Sequence, residues 1–185
     1  MAVKTFAAIE VGSSQLEMKV YEISRKLGFR ELDHVRYIIE LGSDTYSKGM
    51  IGYELVNEMC DVLKKFRLKM EEYGADAYTA VGGSALREAE NRDLILDQIQ
   101  IKTGLRVKII SNAEQRFLIF KSVAYKMQNF EQLIQEGTAI VDLGSGSLQV
   151  SYFDRGVLQF SQNIRLGSLR IREILSGMEG HTPSF

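Results

Sequence analysis

One local pattern occurs twice in this chain and limits what it can fold into: Ile9-Glu10-Val11-Gly12-Ser13-Ser14 and Val141-Asp142-Leu143-Gly144-Ser145-Gly146-Ser147. Each copy is an apolar run, an acid, an apolar residue, a glycine and a serine-rich turn. Residues 5–11 read as a buried strand that stops at Gly12. Residues 16–23 alternate, with Leu16, Met18 and Val20 on one face, so a second strand leaves the turn at 12–15. Residues 138–142 and 148–153 repeat this logic around Gly144. The echo between 7–20 and 139–152 predicts two homologous lobes, because a solenoid would repeat at a short period.

The two turns have a shared chemistry. A glycine-serine turn between strands points backbone N–H groups at a bound anion, and bare glycines at 12, 144 and 146 let that anion approach closely. The hydroxyls of Ser13, Ser14, Ser145 and Ser147 add donors. Glu10 and Asp142, just before the turns, are suited to a divalent cation that bridges phosphate oxygens, usually through water. A single Gly-Ser turn is more often structural; the matched pair carries the reading. Between the copies lies Ser84-Ala85-Leu86-Arg87-Glu88-Ala89, which places an arginine on a short helix after a strand. Such an arginine can clamp a phosphate through two parallel hydrogen bonds. The same spacing also suits a surface arginine paired with Glu88 or Glu90.

The rest of the chain reads as alternating elements. A third strand is predicted over 33–41. A long helix carries Leu55, Met59, Val62, Leu63, Phe66 and Met70 and ends at Gly74. A strand follows at 76–81. Asn91 is expected to cap a helix bearing Leu94, Ile95, Ile99 and Ile101 that Gly104 stops. Val107 to Ile110 is a strand, and 113–128 a helix with Phe117, Phe120, Val123, Ala124 and Met127 as its apolar stripe. A hairpin at Gly156 leads to a strand at 157–163. Ser168 is expected to cap a last helix that Gly177 ends.

Composition narrows the function classes. A hydrophobic fraction of 45% over 185 residues suffices for one good core or two small ones. The formal net charge of -1 supplies no reason to expect nucleic acid or an anionic membrane as a partner. No stretch reaches the ~20 apolar residues that span a bilayer. The N-terminus lacks a signal-peptide layout. The single cysteine, Cys60, is expected as a buried thiol in a reducing, cytoplasmic compartment. His34 and His181 have no partner at ligand spacing and are expected on the surface or in loops. The one proline, Pro183, leaves no proline-rich linker.

Taken together, these residues resemble the exopolyphosphatase/guanosine-pentaphosphate phosphohydrolase (Ppx/GppA) family. The most specific element is Ser84-Ala-Leu-Arg-Glu-Ala-Glu-Asn91. Thr103-Gly104 with Val107 to Ser111, and Leu166-Gly167-Ser168-Leu169-Arg170, also fall where family motifs fall. The resemblance implies an α/β fold of the actin/sugar-kinase/Hsp70 (ribonuclease H-like) type, a mixed sheet flanked by helices. It implies a first lobe over residues 1–135 and the opening strands and helix of a second over 136–185, with the chain as an N-terminal portion whose ending at 181–185 reads like a cut. It further implies removal of terminal phosphate from polyphosphate or pppGpp, with Mg2+ at Glu10 and Asp142. Phosphate contacts would come from Gly12, Ser13, Ser14, Arg87, Gly144, Ser145, Gly146 and Ser147. The unpaired edge of a partial second sheet invites a homodimer.

The departures from the family pattern bear on catalysis. The family's Asp-x-Gly-Ser-Asn-Ser is here Glu10-Val11-Gly12-Ser13-Ser14-Gln15, and Glu17 stands where an arginine is frequent, a charge expected to repel a phosphate chain. The family's Ser-Gly-x-Glu-Glu-Ala-Arg is here Ser111 to Phe117, so the place of its general base holds Gln115. Its Asp-x-Gly-Gly-Gly-Ser-Thr-Glu ends here in Gln149. Glutamine keeps the shape of glutamate but takes no proton from water. General-base catalysis is typically worth ~10²–10⁴-fold. Glu114 is adjacent to Gln115, but one helical position turns a side chain by roughly 100 degrees, away from the same water. Two readings follow: a divergent phosphoanhydride hydrolase, or a catalytically silent relative that binds polyphosphate or a nucleotide as sensor or scaffold. A third, an actin-like or kinase-like ATP-binding fragment, is opposed by the match at 84–91.

Overall fold

Strand alternation organises the first half of the chain. Ala7, Ile9 and Val11 of β1 (Lys4–Val11) and Leu16, Met18 and Val20 of β2 (Gln15–Ser24) are all buried. The antiparallel register sets Val11 opposite Leu16 and Ile9 opposite Met18, so one face of the hairpin is continuous apolar surface. β3 (Gly28–Ile38) pairs antiparallel with β2. Two helices, α1 (Leu41–Lys48) and α2 (Tyr53–Glu72), then lead to β4 (Ala77–Gly82), which pairs parallel with β1. α3 (Ser84–Glu88) and α4 (Arg92–Thr103) precede β5 (Lys108–Ile109), giving the order β3-β2-β1-β4-β5. This computed structural model describes residues 3–26 and 28–179. It divides the chain into two units, Met1–Ile109 and Ile110–Phe185.

The core of the first unit sits on one face of the sheet. Met59, Leu63 and Phe66 of α2 and Ile95 and Ile99 of α4 cluster there with the β1 and β2 side chains. Each fully buried side chain of this size contributes roughly 1.5–3 kcal/mol. Cys60 is buried in this core, as expected, and burial pushes its thiol pKa up. Of the four apolar residues predicted for α4, Leu94 and Ile101 are exposed, because the core takes only the face of Ile95 and Ile99. Gly104 ends α4 in the left-handed region, as its position predicts. Asn91 stands at the N-cap of α4, but its side chain does not cap the helix. It donates to the Ile51 carbonyl at 2.8 Å and accepts from the Ile51 amide at 3.1 Å. β3 starts earlier than predicted, where Phe29 packs edge-on against Tyr21 at 5.6 Å. It ends earlier as well, because the chain turns into α1, a helix with no apolar periodicity to announce it.

The second unit contains α5 (Asn112–Lys126), α6 (Phe130–Leu133), β6 (Thr138–Leu143), β7 (Leu148–Asp154), β8 (Val157–Ile164) and α7 (Ser168–Glu179). The three strands form an antiparallel meander, β6-β7-β8. Gln149, Ser151 and Phe153 of β7 are buried, and Phe120 of α5 stacks on Phe153 at 5.3 Å. Arg116 also reaches β8, so residues 110–135 group with the second sheet and the observed division falls at 109/110, not at 135/136. The inward face of α5 holds Arg116, Ile119 and Phe120. Phe117 and Met127, predicted as part of the apolar stripe, are exposed. On the other sheet face Val141 and Leu143 are 60% and 65% exposed. α7 runs through Gly177 to Glu179, because Gly177 does not take the positive φ that would break the helix. His181 and Pro183 lie outside the described residues. Among the described residues no helix is long and apolar enough to cross a membrane.

Candidate functional site

The first turn is closed by its glycine. The Gly12 N–H donates to the Gln15 carbonyl at 3.0 Å, and a Cβ at Gly12 would sit 2.8 Å from that oxygen. The Ser13 carbonyl accepts from Gly42 N–H at 2.8 Å, which satisfies one of the orphan amides at the start of α1. The Ser13 hydroxyl, expected to face an anion, points into the unit instead. Its oxygen accepts from Ala85 N–H at 3.1 Å and from the Tyr46 hydroxyl at 2.7 Å, and lies 2.9 Å from Ser84 Oγ. Tyr46 and Ser84 are themselves 2.9 Å apart. Ser14 is half-buried in the same turn.

Two charged residues stand on the elements that meet this turn, Glu10 on β1 and Arg87 on α3. Arg87 is half-buried on α3; burial lowers its pKa, while Glu88 and Tyr46 act in the opposite sense. A guanidinium starts so high that it stays charged at neutral pH. Glu10 is exposed and stands opposite Glu17 in the register. The carboxylate of Glu17 meets His34 Nε2 at 2.6 Å, Gln15 Nε2 at 3.1 Å and Arg36 Nε at 3.6 Å. The repulsive charge expected at Glu17 is therefore held by local partners, and His34 is an exposed residue, as expected, whose ring nitrogen meets that carboxylate.

The second turn repeats two backbone bonds of the first, the one that closes the turn and the one from a helix amide to its carbonyl. Gly144 N–H donates to the Ser147 carbonyl at 2.9 Å. The start of α7 supplies the helix amides: Leu169 and Arg170 N–H donate to the Ser145 carbonyl at 3.0 and 3.2 Å, and Ser168 N–H to the Gly144 carbonyl at 3.1 Å. The sequence echo thus extends to a helix end laid against each turn, a place of positive potential. Arg170 Nε donates to the Gly146 carbonyl at 2.9 Å, and Gly167 packs directly on the turn.

Asp142 and Gln149 are cross-strand partners, and Asn163 continues the rung on β8. Gln149 is 6% exposed, and its amide nitrogen donates to the Asn112 carbonyl at 3.3 Å, at the start of α5. Burial raises the pKa of Asp142. Glu114 does not join them. Its carboxylate accepts from Ser111 N–H at 2.8 Å while Ser111 Oγ accepts from Glu114 N–H at 3.1 Å, a capping box that starts α5. Gln115 is half-buried, and the side chain of this stretch that reaches the sheet is Arg116, which donates to Ser161 Oγ at 3.0 Å. Arg116, Asp142, Gln149 and Ser151 line a cavity of about 10 Å³. That is room for one water and far too little for a phosphate group. Among the described residues no three His, Cys, Asp or Glu side chains converge as a metal cage.

Sequence reasoning did not single out Tyr46, Gly42 or Arg116. Tyr46 and Gly42 lie in a segment with no motif and no period. Arg116 was visible in a matched motif, but a charge on the buried face of a helix breaks the apolar count.

The Ppx/GppA phosphatase family model matches residues 20–176. Among curated proteins, a bifunctional 3-dehydroquinate synthase/phosphatase of Fusobacterium nucleatum is 21% identical over 173 residues, which is 90% of this chain and 26% of that protein. A guanosine-5'-triphosphate,3'-diphosphate pyrophosphatase of Photobacterium profundum is 24% identical over 146 residues, 78% of this chain and 28% of that protein. The chain therefore spans about a quarter of the length of these relatives. Among solved structures, an exopolyphosphatase from Cytophaga hutchinsonii superposes with a TM-score of 0.79 at 24% identity, covering 92% of this chain and 53% of that one. The Aquifex aeolicus Ppx/GppA family member gives 0.74 at 21%, covering 99% and 56%. These likenesses establish the actin-like fold expected from the sequence.

Proposed function

Because the chain belongs to the Ppx/GppA phosphatase family, we propose that it binds a chain of phosphates, of the polyphosphate or guanosine-pentaphosphate class, without activating water for its hydrolysis. The observation that carries this reading is the hydrogen bond from the Gln149 amide to the Asn112 carbonyl. A carboxylate in that place would set two acceptors face to face in a buried setting, so the position is built for an amide. Gln115 likewise takes no proton at neutral pH, and the carboxylate of Glu114 is committed to its helix cap. What remains suited to an anion is the positive end of a helix against each turn, and Arg87 in the first unit. The names of the pyrophosphatase and exopolyphosphatase relatives support the ligand class.

Glu10 belongs to the first unit and Asp142 to the second. Each carboxylate, taken within its own unit, suits a hydrated Mg2+ that arrives on phosphate oxygens and would screen their charge. We place the protein in the cytoplasm, where a free thiol such as Cys60 persists. A sensor or scaffold is the role that fits binding without turnover.

One observation favours the other reading, a phosphoanhydride hydrolase. Asp142 has a carboxyl pKa raised by burial, a common property of catalytic acids and bases. Calorimetric titration with tripolyphosphate and with pppGpp, beside a Mg2+-dependent phosphate-release assay, separates the two. Binding with no release is expected. Steady release that is lost in Asp142→Asn would establish the hydrolase, and no binding of either ligand would sink both readings.

A further inference from the structure

The three hydroxyls of Ser13, Tyr46 and Ser84 form a triangle with sides of 2.7, 2.9 and 2.9 Å. Their proton order follows from the partners. Ser13 Oγ already accepts two hydrogens, from Ala85 N–H and from Tyr46 O–H, so its own proton runs to Ser84. Ser84 in turn has Tyr46 as its acceptor within reach. Each hydroxyl donates once and accepts once around a closed ring, an arrangement in which each bond polarises the next. The ring joins three pieces of chain far apart in sequence: the first turn, α1 and the start of α3. Arg87 lies on α3, three residues beyond Ser84.

We propose that Tyr46 is a positioning residue for anion binding at the first turn, fixing the turn and the Arg87 guanidinium relative to one another through the hydroxyl ring. This rests on the reading of the first turn as a phosphate-binding element. Three observations support it. The Ser13 side chain is 6% exposed, so the ring is a fixture of the unit and not a set of solvated rotors. The backbone of the same residue is held by the Gly42 amide, so both α1 contacts, Gly42 and Tyr46, converge on Ser13. The Tyr46 hydroxyl also meets Ser84 at 2.9 Å, at the start of the short helix that carries Arg87. Removing the Tyr46 hydroxyl takes a donor from Ser13 and an acceptor from Ser84, and it frees α3 to shift against the turn. Ring opening offers a second effect. A phosphate oxygen that takes the proton of Ser84 withdraws it from Tyr46 and changes the hydrogen bonding of the phenol.

The test uses the whole chain and tripolyphosphate as the probe. Affinity is measured by calorimetry for the wild type, Tyr46→Phe, Arg87→Ala and the double variant. Tyr46→Phe is expected to weaken binding about fivefold, the range for one hydrogen bond. The double variant is expected to bind no more weakly than Arg87→Ala, because Tyr46 acts through the position of that arginine. In parallel, wild-type protein labelled with ¹³C at the tyrosine Cζ is titrated with tripolyphosphate, the Tyr46 signal being assigned by its loss in Tyr46→Phe. The signal is expected to shift and to saturate with the calorimetric curve, which a packing role alone would not produce. An unchanged affinity in Tyr46→Phe, or strictly additive losses in the double variant, overturns the proposal. Should Tyr46→Phe fail to fold, a tyrosine Cζ spectrum in which no signal moves at saturation overturns it on wild-type protein alone. Absence of any wild-type binding instead removes the phosphate-binding reading beneath it.

Discussion

Gly167 lies against the peptide that joins Ser145 to Gly146: a Cβ built on Gly167 would stand 2.3 Å from the carbonyl carbon and oxygen of Ser145. The obstacle is backbone on both sides, so it cannot swing away as a side chain would. Gly167→Ala is therefore expected to destabilise the second unit by about 2 kcal/mol, within the range for overpacking. Urea denaturation followed by circular dichroism checks this; a midpoint equal to the wild type would show that the turn is not held as described.

Ser13→Ala removes the centre of the hydroxyl ring. It also leaves the amide of Ala85, a fully buried residue, without its acceptor. An unsatisfied buried donor costs about 1–3 kcal/mol. A loss of that size in the first unit is expected from thermal or urea melting, and Ser13→Cys, with its weak acceptor, is expected to recover little of it.

Asp142 carries a cost that depends on pH. Burial raises its pKa in the folded chain above the unfolded value of about 3.9. Stability from this group is then whole below the unfolded pKa and falls as pH rises through the folded one. Asp142→Asn is expected to melt higher than the wild type at pH 7, with the two curves converging near pH 3. Equal melting points at both pH values would show that the carboxyl is not held in a desolvated place.

Gln149→Glu tests the carboxamide directly. The new carboxyl would be buried and would face the Asn112 carbonyl, so its folded pKa would rise above about 4.3. At neutral pH the variant is expected to lose about 3 kcal/mol, the scale of an uncompensated buried charge. The loss should shrink as pH falls through the raised folded pKa and level off below about 4.3, where the carboxyl is protonated in both states. A Gln149→Glu protein as stable as the wild type at pH 7 would mean that this position accepts the family's carboxylate.

The paired hairpins were readable because period-two alternation ending in a glycine has few other outcomes, and the register of Val11 with Leu16 and Leu143 with Leu148 repeats it faithfully. α2 was readable from Met59, Leu63, Phe66 and Met70, which recur on one face. α1 was not, because it buries only Leu41, Gly42 and Thr45 and is held at its start by the turn carbonyl of Ser13, a tertiary bond with no local trace. The phosphate turns were legible as residue types but not as directions. Nothing in Gly12-Ser13-Ser14 tells that the Ser13 hydroxyl turns inward to Tyr46 and Ala85. Likewise Gln115 and Gln149 were both visible as lost carboxylates, yet only the structure shows Gln149 bonded to Asn112 and Arg116 as the residue that enters the sheet.

The two sheets also differ in how soon they can assemble. β6, β7 and β8 pair in chain order through short turns, so their contacts are local and close early. β1 must wait for β4 until α1 and α2 have been laid between them, and loop closure over such a distance is slow. The hydroxyl ring joins positions 13, 46 and 84, so it spans the same sequence distance as that parallel pairing. Protection of the Tyr46 hydroxyl during refolding is thus a readout of the long-range assembly of the first unit, and not of its local hairpin.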